Sequence, residues 1–139
     1  MARTIAKGSL KETGKKSTKK SGKRSAGVLM FRRVGDLLFV SGIPGFDEAG
    51  ALPEGFEAQF GFVVTNMKQV LDEAGATFSD LVKINVLLTR AADVATMNRL
   101  YAKAFGPAPY PARTTCVVQA LPDPKMLIEI EGVASLVPR

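Results

Sequence analysis

Residues 110–122 read YPARTTCVVQALP. Pro109 and Pro111 break the helical pattern before them, and Thr114, Thr115, Cys116, Val117 and Val118 form a run that favours extended backbone. An arginine therefore opens what reads as a packed strand. A guanidinium keeps its charge in any protein setting, so a covered one needs a carboxylate or another anion. Either this chain supplies the anion or a ligand does. Alternation puts Arg113, Thr115, Val117 and Gln119 on one face of the strand. Thr114, Cys116, Val118 and Ala120 fall on the other, a small apolar set suited to packing under helices.

Downstream, PDPK (122–125) fits an antiparallel hairpin between strands at about 113–121 and 126–135. In the second of these, Ile128 and Ile130 join the packed face, so Glu129 and Glu131 point the same way as Arg113. One reading of this cluster is an interface ion pair between Arg113 and a glutamate. The other is a ligand carboxylate gripped bidentately by Arg113, with a glutamate left for proton chemistry. Apolar neighbours would raise that glutamate's pKa towards neutrality. Periodicity does not choose between the two.

Upstream, VLMFRRV and LLFVSG flank the turn pair Gly35-Asp36 and suggest a hairpin. Phe56, Phe60, Val63, Met67, Val70, Leu71 and Ala74 keep a helical period that Gly75 ends. LVKINVLLT alternates, with Val82, Ile84, Val86 and Leu88 on one side and Lys83, Asn85, Leu87 and Thr89 on the other. A second helix runs from an N-cap at Asp93 to Phe105, with Val94, Met97, Leu100, Tyr101 and Ala104 inward. The order ββαβαββ implies an α+β domain with two helices on one sheet face. The other face carries Phe39, Leu87 and Val117 among polar residues, so a partner subunit is expected to cover it.

At 139 residues the chain holds one domain with a single modest core. Its longest apolar stretch, residues 26–43, is interrupted by Arg32, Arg33 and Asp36 and is too broken to span a membrane. One cysteine excludes an intrachain disulfide and makes the cytoplasm the expected compartment. Histidine is absent, which argues against a metal hydrolase or a Ser-His-Asp enzyme.

The net charge of +6 is unevenly spread. Residues 1–25 hold nine Lys or Arg and one Glu, a net of +8; the rest hold ten basic and twelve acidic side chains, a net of −2. Residues 1–25 are thus expected to be a disordered basic tail, and 26–139 the folded domain. The tail suits polyanions or nucleic acid, with binding that weakens in salt, or it is a solubilising leader. A transit peptide fits less well, since the segment favours Lys over Arg. The terminal LVPR matches a protease-tag remnant and is given no function.

PARTTCVVQALP followed by IEIEGVA resembles the C-terminal signature of the reactive intermediate deaminase A (RidA, YjgF) family. VGDLLFVSGIP, FSDLVKINVLLT and DVATMNRLYAKAF agree with the family in order, so the likeness covers residues 28–135. It implies a chorismate mutase-like fold with a mixed sheet, a homotrimer joined through its sheets, and ligand clefts between subunits. It also implies hydrolysis of enamines or imines of amino acids, the 2-iminobutanoate and 2-iminopropanoate class, to 2-oxo acids and ammonia as metabolite damage control. On that likeness Arg113 clamps the substrate carboxylate and Glu129 activates water. Ser41, Gly42, Asn98 and Thr115 line the pocket, with no metal or organic cofactor.

Three departures stand out. The family's Gly-Pro-Tyr before the first strand is replaced by SAGVLMF (25–31), without a tyrosine. Thr115 takes the place of a pocket cysteine found in some members, which leaves Cys116 as an expected core thiol. LPDPKML (121–127) is one residue longer than usual. The alternatives are an RNA-binding or ribonuclease-like protein working through the basic tail, and a non-catalytic 2-oxo acid sensor. A Nudix hydrolase is rejected, because its glutamate-rich metal box is missing.

Overall fold

The computed structural model describes residues 29–138. The expected basic tail lies outside the described residues. Within them the strands are β1 (Phe31–Val34), β2 (Leu37–Pro44), β3 (Leu81–Leu88), β4 (Ala112–Val117) and β5 (Ile128–Ser135). The helices are α1 (Phe56–Glu73) and α2 (Val94–Phe105). Gly35, at φ 57°, opens the two-residue loop that joins β1 to β2, a backbone state glycine reaches at little cost. Gly75, at φ 75°, follows α1 in the same way.

The five strands form one mixed sheet in the order β1-β2-β5-β3-β4. β3 and β4 are parallel and every other pair is antiparallel. The expected hairpin between β4 and β5 does not form. β5 inserts between β2 and β3, and β4 is an edge strand. Leu38, Ile43, Ile84, Val86, Leu88, Ile128 and Ile130 are fully buried together with Val63, Met67 and Leu71 of α1 and Met97 of α2. Each such side chain contributes about 1.5–3 kcal/mol, against about 1 kcal/mol for an exposed polar pair. The inward parity of β2, β3 and β5 therefore sets the register, and the outward polar residues follow it.

Two bulges adjust that parity. Val40 pairs with Gly132 and Ile43 with Ile130, so Ser41 and Gly42 together face Glu131 alone and both leave the packed side. A shift between Leu81 and Lys83 puts Leu81 inward and leaves Val82 exposed, contrary to the plain alternation of LVKINVLLT. At the start of α2, Asp93 precedes the helix without making a side-chain cap; its carboxylate accepts instead from Arg90 Nε at 2.7 Å. Among the described residues no helix is long and apolar enough to cross a membrane.

The register reverses one expectation. Arg113 lies beside Ile84, Thr115 beside Val86 and Val117 beside Leu88, so all three sit on the helix-covered side. Glu129 lies beside Leu87 and Glu131 beside Asn85, on the open side with Cys116 and Thr114. Arg113 and the two glutamates thus occupy opposite faces. The faces of β4 are exchanged because its orientation comes from parallel pairing with β3, whereas sequence reading gave the packed face to the small set Thr114, Cys116, Val118 and Ala120. Cys116 is exposed, not a core thiol, and Val117 belongs to the helix side at 48% exposure.

Candidate functional site

The expected site residues gather in two places. On the helix side, at the sheet edge, Arg113 projects from β4 onto α2. Its Nη2 donates to Asn98 Oδ1 at 2.7 Å, its Nη1 approaches Met97 Sδ at 3.7 Å, and its guanidinium carbon stands 4.6 Å from the centre of the Tyr101 ring. Positions 97, 98 and 101 share one turn of helix, so α2 presents an acceptor, a soft sulfur and a ring face to one planar cation. Among the described residues no carboxylate comes within ion-pair range of Arg113. The edge position explains how an arginine fits this face: its guanidinium lies over the Tyr101 ring while the residue as a whole stays exposed.

Thr115, two residues on, has a buried Oγ1 with no hydrogen-bond partner among the described residues, and so does the Tyr101 hydroxyl. Burial pushes the Tyr101 hydroxyl's pKa up, against the opposing pull of the Arg113 charge. Phe105 stacks on Tyr101 at 4.7 Å, Phe78 meets Phe105 edge-on at 5.2 Å, and Tyr110 leans against Tyr101 at 5.8 Å.

The second group is on the open face. Glu129, half-buried, lies against Gly42 so closely that a Cβ there would fall 2.6 Å from Glu129 Oε1. The β2 bulge creates that bare backbone patch. Ser41 is beside it, its hydroxyl donating to the Leu29 carbonyl and its N–H to Met30 O at 2.9 Å. Glu131 Oε1 accepts from Asn85 Nδ2 at 2.8 Å, and Lys83 Nζ donates to Thr114 Oγ1 at 2.6 Å. Burial raises the Glu129 pKa, and the nearby Glu131 charge raises it further. A carboxylate in this state is a better proton acceptor near neutral pH than a solvated one.

A shallow depression of about 540 Å³ adjoins this group, lined by Phe39, Ser41, Lys83, Asn85 and Glu131 among others. Another of about 510 Å³, bordered by Arg33, Gly75, Asp80 and Leu136, shares none of these residues. Among the described residues no three or more His, Cys, Asp or Glu side chains come together as metal ligands.

The structure therefore unites Arg113, Asn98 and Thr115 in one group and Ser41, Gly42 and Glu129 in another, and does not bring the two together within the chain. Sequence reading treated Met97 and Tyr101 only as apolar core positions of α2. The clue to their second role was their spacing of one back and three forward from Asn98, which puts all three along one side of the helix.

Comparison with known proteins adds a third line. The family model described as Endoribonuclease L-PSP matches residues 25–136. Reactive Intermediate Deaminase A, chloroplastic, of Arabidopsis thaliana is 42% identical over 106 residues, covering 75% of this chain and 56% of that one. The crystal structure of RidA from the Antarctic bacterium Psychrobacter sp. PAMC 21119 superposes with a TM-score of 0.74 at 38% identity, over 81% of this chain and 91% of that one. The structure of Escherichia coli TdcF with bound serine gives 0.75 at 28% identity, over 81% and 90%.

Proposed function

The chain belongs to the RidA (YjgF) family, whose model bears the description Endoribonuclease L-PSP, and from that premise we propose that it is a 2-imino acid deaminase. The observation that carries the proposal is Arg113: a guanidinium held by α2 with no carboxylate in ion-pair range among the described residues, open to a substrate carboxylate. The bound serine in the TdcF structure is a ligand of that kind, an amino acid with a free carboxylate.

The two groups on opposite sheet faces acquire a purpose if chains assemble. In a homotrimer joined through the open faces, the Arg113 group of one protomer meets the Ser41–Gly42–Glu129 group of the next, and the cleft lies between them. Arg113 then grips the carboxylate of the 2-imino acid with Asn98 and Thr115 beside it. Glu129 takes a proton from water as the oxygen attacks the C=N carbon. The nitrogen receives that proton from Glu129 and then, through the same carboxylate, the proton of the new hydroxyl; the C–N bond breaks as the C=O bond forms, and a 2-oxo acid and ammonia leave. Imines hydrolyse readily in water, so orientation and one proton transfer provide the kind of acceleration needed. The substrates are small imino acids of the 2-iminopropanoate and 2-iminobutanoate class, the protein works in the cytoplasm, and no cofactor takes part.

The test is hydrolysis of 2-iminopropanoate generated in situ by an amino-acid oxidase. Wild type should accelerate loss of the imine, Arg113→Ala should abolish that acceleration, and a chain lacking residues 1–25 should match wild type. An inactive wild type that still binds 2-oxobutanoate would replace the enzyme with a sensor. Activity that depends on residues 1–25 would favour the RNA-directed alternative.

A further inference from the structure

The contacts of Arg113 point to a residue that the assignment of roles above leaves unused. We infer that Tyr101 is a positioning residue: its ring face sets the plane of the Arg113 guanidinium and so the geometry in which a carboxylate is received. The inference rests on the reading of Arg113 as a carboxylate clamp.

An arginine on an edge strand has a long, freely rotating side chain, and a bidentate grip on a carboxylate requires its plane to be fixed beforehand. Asn98 holds Nη2 at 2.7 Å and Met97 Sδ holds Nη1 at 3.7 Å, yet two points leave the plane free to turn about the line that joins them. Tyr101 removes that freedom by lying 4.6 Å from the guanidinium carbon, within the range where a ring face attracts a cation. Of the five guanidinium N–H groups, one goes to Asn98 and one to Met97 Sδ, and among the described residues the other three have no acceptor. Those three are the donors available to a ligand.

Tyr101 is itself immobilised. Phe105 stacks on it with planes 22° apart, and Phe78 braces Phe105 at 83°. The hydroxyl has no partner among the described residues and so supplies no anchor. What matters about Tyr101 here is its face.

The test compares four variants by imine hydrolysis, by the Kd for 2-oxobutanoate from calorimetry, and by Tm. Tyr101→Leu keeps an apolar side chain but removes the ring face; it should raise KM and Kd together by roughly 3- to 30-fold, with kcat within about twofold of wild type. Tyr101→Phe should restore wild-type KM and Kd. Phe105→Leu removes the ring that stacks on Tyr101 without touching the guanidinium, so it should lower Tm and raise Kd by less than Tyr101→Leu does. Arg113→Ala is the reference. If Arg113→Ala abolishes binding while Tyr101→Leu binds like wild type, the positioning role is overturned and the clamp survives. If Tyr101→Phe is as damaged as Tyr101→Leu, the hydroxyl and not the ring face matters, and the inference again fails. If Arg113→Ala binds normally, the clamp itself is wrong and the inference falls with it.

Discussion

The carboxylate of Glu129 rests on the bare backbone of Gly42, and this contact invites the smallest possible change. Gly42→Ala would put a methyl 2.6 Å from Oε1. The group obstructed is the end of a flexible side chain, so the fold should survive with a Tm change of a few degrees while Glu129 is displaced. Imine hydrolysis should fall at least 10-fold; an undiminished rate would separate Glu129 from the chemistry. The pH dependence follows from the raised pKa. An ordinary glutamate ionises near 4.5, and folded Glu129 above that. As a base it should lose activity, as pH falls, earlier than a solvated carboxylate would, and Glu131→Gln should shift that acid limb to lower pH. Stability has the opposite sign. Between the two values the folded state holds the extra proton, so the Glu129 contribution is complete below 4.5 and lost as pH rises through the folded value. Glu129→Gln should flatten that part of a Tm-against-pH curve. At this scale the sequence singled out Arg113, Glu129 and Asn98 as candidates. It was silent on the ring beneath the arginine, because a buried tyrosine on a helix has the same pattern whether it fills a core or supports a cation.

At the scale of elements, both helices and β2, β3 and β5 were legible through their buried apolar periods, whereas β1 and β4, which bury no residue in the chain, were legible only through β-branched and aromatic composition and the turn residues beside them. The neighbours of each strand were another matter. PDPK is as good a turn inside a longer connection as in a hairpin, and nothing in residues 112–135 shows that β5 inserts between β2 and β3. The connection is held by Gln59, a buried polar residue of α1 at 2% exposure. Its Nε2 donates to the carbonyls of Pro53 at 3.1 Å and Lys125 at 2.9 Å, and its Oε1 accepts from Leu127 N at 2.8 Å. Gln59→Leu would leave those three backbone groups unpaired, at a cost of about 2–4 kcal/mol. Urea unfolding should show the loss as a lower midpoint with an unchanged slope.

For the molecule as a whole, the separation of the two residue groups makes a prediction that no single-chain site would share. Arg113→Ala and Glu129→Gln, each inactive alone, should regain activity when the two chains are refolded together. Random mixing would leave roughly one cleft in four with an intact arginine from one protomer and an intact glutamate from another. Recovery of no activity from demonstrably mixed oligomers would mean that both groups serve one chain. An isolated protomer should be inactive at any concentration of substrate. The open face that would be covered includes Phe39, 45% exposed, together with Leu87 and Val133. Sequence reading expected a partner on that face but put Arg113 on it as well, whereas the parallel pairing of β4 with β3 puts Arg113 on the opposite side.

Cys116 lies on that same face, beside Leu87, and it is the only thiol in the sequence. In the proposed trimer that thiol is a native reporter of assembly. A maleimide dye would attach slowly to associated protomers and quickly to separated ones, so labelling rates followed down a dilution series would count the chains standing alone.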